Sequence, residues 1–202
     1  AERARVGKRL FWALPVAGAV LLCFGRTADL MAALRSPRTV AMAALTSGKR
    51  APGTVIHDGG VFQFGNHTFR SHGDIGLGPV DMTRSIVKSS NVYYYSLANE
   101  MGVDVMHEHL SPFLLGSKTG IDVDGEVTGV LPSTEWKRRY YKKPEHQKWY
   151  AGETISLGIG QGYNNFTMLQ MATAYATIAS GGLRFKPRLV REIKDSVQHT
   201  TQ

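Results

Sequence analysis

The sequence is poor in cysteine: Cys23 is the single example among 202 residues. One cysteine excludes an internal disulfide and any metal site built from several cysteines, and it leaves the redox compartment open. Internal repeats and low-complexity tracts are also absent from the sequence. These absences exclude a solenoid and a disulfide-stapled scaffold, whereas 43% hydrophobic residues are enough to bury a globular core.

Little net charge lies beyond residue 50. The formal net charge is +8, but residues 1–50 hold nine Lys/Arg against two Asp/Glu, and residues 51–202 hold fifteen against fourteen. The body is therefore nearly neutral, and one end of the chain supplies the basicity. This distribution disfavours a general phosphate-binding face, so we predict no nucleic-acid partner.

The apolar run at residues 10–25, LFWALPVAGAVLLCFG, counts 16 residues, whereas a spanning helix needs about 20. Basic residues precede it, which is typical of a signal peptide or a marginal anchor. A buried helix is the alternative, and the segment alone does not decide between them.

Ser89 and Asn91 lie at a predicted break between helices over residues 80–88 and 92–101. A hydroxyl and an amide two residues apart can there point the same way. The hydroxyl can relay a proton to a leaving amine, and the amide can hold a peptide carbonyl. Ordinary helix capping is the alternative explanation of this tripeptide.

A dense glycine run, Gly-Ile-Gly-Gln-Gly, occupies residues 158–162. Glycine permits close approach by ligand or backbone and accepts left-handed dihedrals. Apolar residues at helical spacing follow, namely Met168, Met171, Ala172, Tyr175 and Ile178. The pattern predicts a tight turn that opens a helix beside a binding cleft. A strand is predicted over residues 187–193.

Two polar clusters have simpler explanations. Metal ligation would need three or four of His57, Asp58, His67, His72 and Asp74 to converge, so polar loop residues are the favoured interpretation. The run at residues 137–143 interleaves charges and aromatics as a single-strand nucleic-acid groove does. A solvated surface whose aromatics pack inward is favoured there.

Four sequence blocks together indicate a single protein family. They are VDMTRSIVKSSNVYYYSLANEMGVD, GSKTGIDVDGE, LPSTEWKRRYYKKPEHQKWYAGETISLGIGQGY and FTMLQMATAYATIASGG, in that order. Together they resemble the transpeptidase domain of the penicillin-binding protein 2 family, over roughly residues 40–195. The resemblance implies an α+β fold, of which this chain holds the mostly helical portion and an incomplete sheet. We expect residues 1–39 to be a segment of unclear origin and residues 40–202 to be a partial transpeptidase domain.

The resemblance also implies a function. That family cross-links peptidoglycan stem peptides through an acyl-serine and is trapped by β-lactams. The family is anchored in the inner membrane and faces the periplasm, where it works with membrane proteins of the elongation complex. By resemblance, Ser89 and Asn91 form the second catalytic motif. The cleft floor would include the residues Gly158, Gly160, Gln161 and Gly162.

The chain departs from the family at the nucleophile. A Ser-x-x-Lys motif should end just before Val40, but Leu34 and Pro37 stand in those places. The family's Lys-Thr/Ser-Gly motif is expected beyond residue 202. The Lys-Thr-Gly triad that begins at Lys118 follows Asn91 too closely in sequence to be that motif, so we predict that this triad forms a structural turn. We therefore expect the chain to be inactive alone, and a non-enzymatic remnant or binding module is the alternative. The abrupt change at Val40 suggests a fusion, a frame shift or a mis-assembled gene.

Some relatives bind zinc through two Asp, a His and a Cys in this region. By resemblance Asp58 fits the first position, but Leu77 stands for the histidine and Ser90 for the cysteine. Leucine and serine are not the ligands zinc prefers. We predict no zinc, and we expect no cofactor.

Overall fold

The computed structural model describes residues 38–191. Helices dominate this part of the chain, and the strands are short. The helices are α1 (Arg38–Ser47), α2 (Met82–Lys88), α3 (Asn91–Met101), α4 (Val103–Leu110), α5 (Thr134–Tyr140), α6 (Pro144–Gln147), α7 (Ala151–Gly158) and α8 (Met168–Ala179). The strands are β1 (Ile56–Asp58), β2 (Val61–Phe64), β3 (His67–Arg70) and β4 (Gly78–Val80). Single 3-10 turns occupy His72–Asp74 and Ser111–Phe113.

The core is built around α3, which packs against α7 on one side and α1 on another. Tyr93, Tyr94 and Leu97 of α3 are fully buried. Leu157 of α7 belongs to this core, and Ile155 of the same helix is also fully buried. An apolar helical stripe facing its neighbour is what fixes such a pair, because burial of apolar surface drives the contact.

The strands form two separate two-stranded antiparallel sheets. Strand β1 pairs with β4, with Ile56 opposite Val80 and Asp58 opposite Gly78. Strands β2 and β3 form a hairpin whose Phe62 and Phe69 rings lie 6.2 and 5.4 Å from the ring of Tyr95. A mostly helical portion of an α+β fold with an incomplete sheet was expected, and the described residues confirm it.

The expected break between two helices is confirmed, and two further helix boundaries coincide with local sequence signals. The break between two helices falls at Ser89 and Ser90, and Gly102 ends α3. Helix α5 begins with its N-cap at Ser133, whose hydroxyl accepts a hydrogen bond from the Trp136 N–H. Helix-favouring periodicity and capping residues coincide at these points, so local signals agree with the tertiary structure.

Two expectations were wrong. The glycine run does not open a helix directly, because Gly158 ends α7 and α8 begins only at Met168. Residues 187–191 do not form a strand; instead the N–H groups of Leu189 and Val190 donate to the Asp122 carboxylate at 2.6 and 2.9 Å. The segments 10–25 and 192–193, with Leu34 and Pro37, lie outside the described residues.

Candidate active site

The Ser-Ser-Asn tripeptide forms the junction between α2 and α3. Ser89 ends α2 in the left-handed region, with φ of 56° and ψ of 46°. Ser90 is the N-cap of α3, and Asn91 is the first residue of that helix. A non-glycine residue at positive φ is uncommon and points to a conformation held by its surroundings.

The buried carboxylate of Asp58 contacts this junction. Ser90 Oγ accepts a hydrogen bond from the Tyr93 N–H at 3.1 Å and donates one of 2.5 Å to Asp58 Oδ2. Asp58 Oδ1 accepts from the Gly60 N–H at 2.8 Å, and Asp58 and Ser90 are both fully buried. The hydrogen bonds compensate the cost of removing this carboxylate from water.

Ser89 is exposed and Asn91 is half-buried. Within residues 38–191, neither side chain has a hydrogen-bond partner. Ser89 is the C-cap of α2 through its backbone, and Ser90 caps α3 with its hydroxyl, so capping accounts for the backbone of Ser89 but not for its hydroxyl or for the Asn91 amide. Among the described residues, the structure therefore leaves one hydroxyl and one amide without a partner at the same helix junction, and the catalytic role of Ser89 and Asn91 stays a prediction.

The glycine run lies against the helix that Asn91 begins. A Cβ built on Gly158 would stand 2.4 Å from the Tyr94 carbonyl oxygen, so only glycine allows α7 to approach α3 this closely. Gly160 and Gly162 have φ of 77° and 74°. Gln161 between them is exposed. These glycines therefore have a packing role at Gly158 and a turn role at the next two.

A buried ion pair anchors the other end of α7. Lys137 Nζ donates to both carboxylate oxygens of Glu153, at 2.5 and 2.7 Å, and Lys137 is only 3% exposed. The Tyr150 N–H and the Tyr163 hydroxyl donate to the same carboxylate at 2.9 and 3.0 Å. The expected solvated surface was therefore wrong for Lys137, whose ammonium lies near the rings of Trp149 and Tyr163. The expected inward packing of the aromatics in the run was wrong for Tyr140, which is 63% exposed.

This environment shifts two pKa values. Burial opposes ionisation of Glu153, but the hydrogen bond from Lys137 and those from Tyr150 and Tyr163 hold the pKa of Glu153 below its usual value. Burial, together with contacts to Tyr141 and the Glu153 carboxylate, raises the pKa of Tyr163 well above that of a free phenol. Tyr163 therefore remains a hydroxyl donor at neutral pH, and Glu153 remains a carboxylate.

A narrow pocket lies between the start of α1 and the region flanking the glycine run. Its lining is mostly apolar and comprises Thr39, Val40, Val103, Met106, Leu110, Leu131, Pro132, Leu157, Asn164 and Phe166. Ser89 and Asn91 do not line it. Thr39 and Val40 follow in sequence the position where the family's nucleophile motif was expected, and the described lining of the pocket holds no acid–base pair.

The Lys118-Thr119-Gly120 triad lies in a loop closed by Glu126. The Glu126 carboxylate accepts hydrogen bonds from the N–H and hydroxyl of Thr119, both at 2.6 Å, and from the Gly120 N–H at 3.0 Å. These donors lower the pKa of Glu126. The triad is therefore a structural turn, as predicted, and no strand carries it.

The described residues contain no group of three His, Cys, Asp or Glu side chains placed to hold a metal ion. In the histidine-rich region, Arg70 Nη1 instead pairs with Asp74 Oδ2 at 2.8 Å. Ser90, at the expected cysteine position, occupies one oxygen of Asp58 with its hydroxyl. The absence of zinc from the protein stays a prediction.

Comparison with known proteins agrees with this geometry. The sequence model of the penicillin binding protein transpeptidase domain matches residues 38–202. The chain belongs to the penicillin-binding protein transpeptidase family. The boundary between residues 39 and 40 stays a prediction.

Similar proteins are cell-wall transpeptidases. The peptidoglycan D,D-transpeptidase MrdA of Haemophilus influenzae is 37% identical over 160 residues, which cover 78% of this chain and 24% of that protein. The chain thus spans about a quarter of the length of this relative. A crystal structure of Pseudomonas aeruginosa PBP2 in complex with WCK 5153 matches with a TM-score of 0.69 and 38% identity, covering 75% of this chain and 34% of that one.

A further solved relative is the PBP2 of Helicobacter pylori in a complex with MreC. It matches with a TM-score of 0.68 and 28% identity, over 75% of this chain and 28% of that chain. The expected resemblance to penicillin-binding protein 2 is therefore confirmed. Within residues 38–191, no helix is both long and apolar enough to cross a membrane.

Proposed function

We propose that this chain forms the Ser-x-Asn side of the stem-peptide cleft in a peptidoglycan D,D-transpeptidase. The observation that carries the proposal is the α2–α3 junction. There the side chains of Ser89 and Asn91 have no hydrogen-bond partner in the described residues, and the buried Ser90 between them caps α3. The Asn91 amide would hold a peptide carbonyl of the stem, and the Ser89 hydroxyl would relay a proton to the leaving amine. Gly160, Gln161 and Gly162 would border the same cleft.

In the complete enzyme, a serine would attack the D-Ala-D-Ala end of one stem and form an acyl-enzyme, which an amine of a second stem resolves. Leu34 and Pro37 stand where that serine and its lysine base are expected. Without nucleophile and base, acyl transfer falls to near background. We therefore infer that this chain alone binds stem peptides without being acylated.

Titration with a stem pentapeptide ending in D-Ala-D-Ala tests the binding step. Amide shifts recorded by two-dimensional NMR should concentrate at residues 89–91 and 160–162, and Asn91→Ala should weaken the affinity. A tetrapeptide with a single terminal D-Ala is the matched control and should bind more weakly. A folded sample that shows no shifts at these residues would overturn the proposed cleft.

Intact-mass spectrometry after incubation with a penicillin tests the inactivity. We expect no added drug mass, while a penicillin-binding transpeptidase with an intact Ser-x-x-Lys motif is acylated in the same mixture. A shift of one drug mass would contradict the inference and make Ser89 the first residue to substitute.

A binding role in the elongation complex is the second candidate. The solved complex between the PBP2 of Helicobacter pylori and MreC favours it, since that relative binds a second protein. The location would be the periplasmic face of the inner membrane, with attachment through the parent protein's N-terminal anchor. Membrane fractionation with and without residues 1–37 would separate attachment by this segment from attachment by a partner.

A further inference from the structure

The positive charge of the body is concentrated in one short segment. Residues 135–150 hold six Lys/Arg against two Asp/Glu, so the rest of residues 51–202 hold nine against twelve. Lys142, Lys143 and Lys148 are exposed and form no salt bridge within residues 38–191. The excess of positive charge is therefore a property of this segment and not of the whole domain.

Aromatic rings interrupt these cations and are held in place. Tyr140 is 63% exposed, yet it stacks on Trp136 with ring centroids 5.0 Å apart and an interplanar angle of 22°. Tyr150 is 52% exposed, and the Lys148 ammonium lies 5.4 Å from the centre of its ring. Ordered, exposed aromatic side chains lose little conformational entropy on binding and are typical of interaction surfaces.

This cationic–aromatic face is connected to the proposed cleft. Tyr163 directly follows Gly162, and its ring centroid lies 5.3 Å from that of Trp136 and 5.8 Å from that of Trp149. Its hydroxyl is held by Glu153. The rings that support the face and the glycine turn are therefore parts of one packed unit, which connects the face to one border of the proposed cleft.

We propose that the face formed by Arg138, Tyr140, Lys142, Lys143, Lys148 and Tyr150 binds the glycan strand of peptidoglycan together with its stem carboxylates. The proposal rests on the proposed function, because a peptidoglycan transpeptidase acts on this polymer. Sugar rings present apolar C–H faces that suit an exposed tyrosine, and stem peptides carry carboxylates that suit the lysines. The pairing of Arg138 and Arg139 with Glu135 makes the face less suited to a uniform phosphate backbone.

Co-sedimentation of the full chain with insoluble peptidoglycan tests the proposal. We expect Tyr140→Ala/Tyr150→Ala to weaken the binding about tenfold and Lys142→Gln/Lys143→Gln to reduce both the binding and its salt dependence. The control Lys49→Gln/Lys186→Gln removes the same charge from exposed lysines outside the segment and should leave the affinity unchanged. All variants should retain the wild-type circular dichroism spectrum.

Three further ligands decide the chemistry. Glycan strands stripped of stem peptides should bind through the tyrosines alone, and soluble stem pentapeptide should bind through Asn91 without need of Tyr140. Single-stranded DNA should bind more weakly than peptidoglycan; equal or tighter binding with the same variant dependence would mean a general polyanion patch and overturn the proposal. Unchanged peptidoglycan binding in the tyrosine variant would also overturn it.

The outcome for the proposed function is separate. If peptidoglycan binding persists but pentapeptide binding is lost, the proposed cleft is refuted and the proposed glycan-binding face is not.

Discussion

The hydroxyl of Ser90 donates a 2.5 Å hydrogen bond to the buried carboxylate of Asp58, across 32 residues of sequence. This bond joins the end of β1 to the N-cap of α3. The two candidate catalytic residues flank Ser90, so their placement depends on a contact that neither of them makes. Asp58 is accordingly a positioning residue for the tripeptide, and its own side chain is inaccessible to a ligand.

Replacing Ser90 by alanine should destabilise the domain by about 2–4 kcal/mol. The change removes a helix cap, at about 1 kcal/mol, and leaves one oxygen of a buried carboxylate without a donor, at about 1–3 kcal/mol. Urea unfolding followed by circular dichroism measures the loss.

Two variants control this prediction. Ser90→Thr keeps the hydroxyl and should retain most of the stability. Ser133→Ala removes the cap of α5, where no buried carboxylate stands behind the serine, and should cost only about 1 kcal/mol. Equal losses at Ser90 and Ser133 would mean that the bond to Asp58 contributes nothing.

The close contact at Gly158 yields a second prediction. Gly158→Ala places a Cβ 2.4 Å from the Tyr94 carbonyl oxygen and 2.8 Å from the Ala98 Cβ, so the backbones of α7 and α3 must separate. We expect a loss of about 1–3 kcal/mol from this overpacking, although alanine favours a helix more than glycine does.

Gly152 in the same helix is the matched control. A Cβ there meets nothing within 4 Å, so Gly152→Ala should be neutral or should stabilise by up to about 1 kcal/mol. Thermal unfolding of both variants separates the two outcomes. A stabilised Gly158→Ala would show that α7 and α3 are less tightly apposed than the structure indicates.

Zinc content is a third prediction. Ser90 already binds Asp58, and Leu77 is apolar, so of the three positions identified in this chain only Asp58 offers a ligand that zinc prefers. Elemental analysis of protein purified without added metal should find far less than one zinc per chain. Stoichiometric zinc that survives dialysis against a chelator would contradict the prediction.

The sequence predicts some parts of this structure well because the signals there are local. The break at Ser89, the cap at Ser133 and the stop at Gly102 each depend on residues within one helical turn. The Asp58–Ser90 bond and the Lys137–Glu153 pair join residues 32 and 16 positions apart, which no local period reveals. Lys137 lies in a basic run that predicts a solvated surface, and only contacts distant in sequence, with Glu153 and the rings of Trp149 and Tyr163, bring its side chain inward.

The Lys137–Glu153 pair gives the last prediction, on stability against pH. The pKa of Glu153 is lower in the folded protein than in the unfolded chain, so its contribution is fully present above the unfolded pKa of about 4.3 and is lost as pH falls through the folded value. Wild-type stability should therefore fall on acidification below that pH, and Glu153→Gln should show a shallower fall.

Matched variants separate the ion pair from simple burial. Lys137→Met leaves Glu153 without its cation and should cost about 3 kcal/mol at pH 7, because breaking a buried pair strands the other charge. Lys137→Met/Glu153→Leu removes both charges and should recover part of that loss, whereas Lys142→Met, at an exposed position, should change little. Urea unfolding of the wild type and these four variants, Glu153→Gln included, at pH 3.5 and pH 7 tests this. A pH dependence in Glu153→Gln equal to that of the wild type would assign the acid sensitivity to other carboxylates.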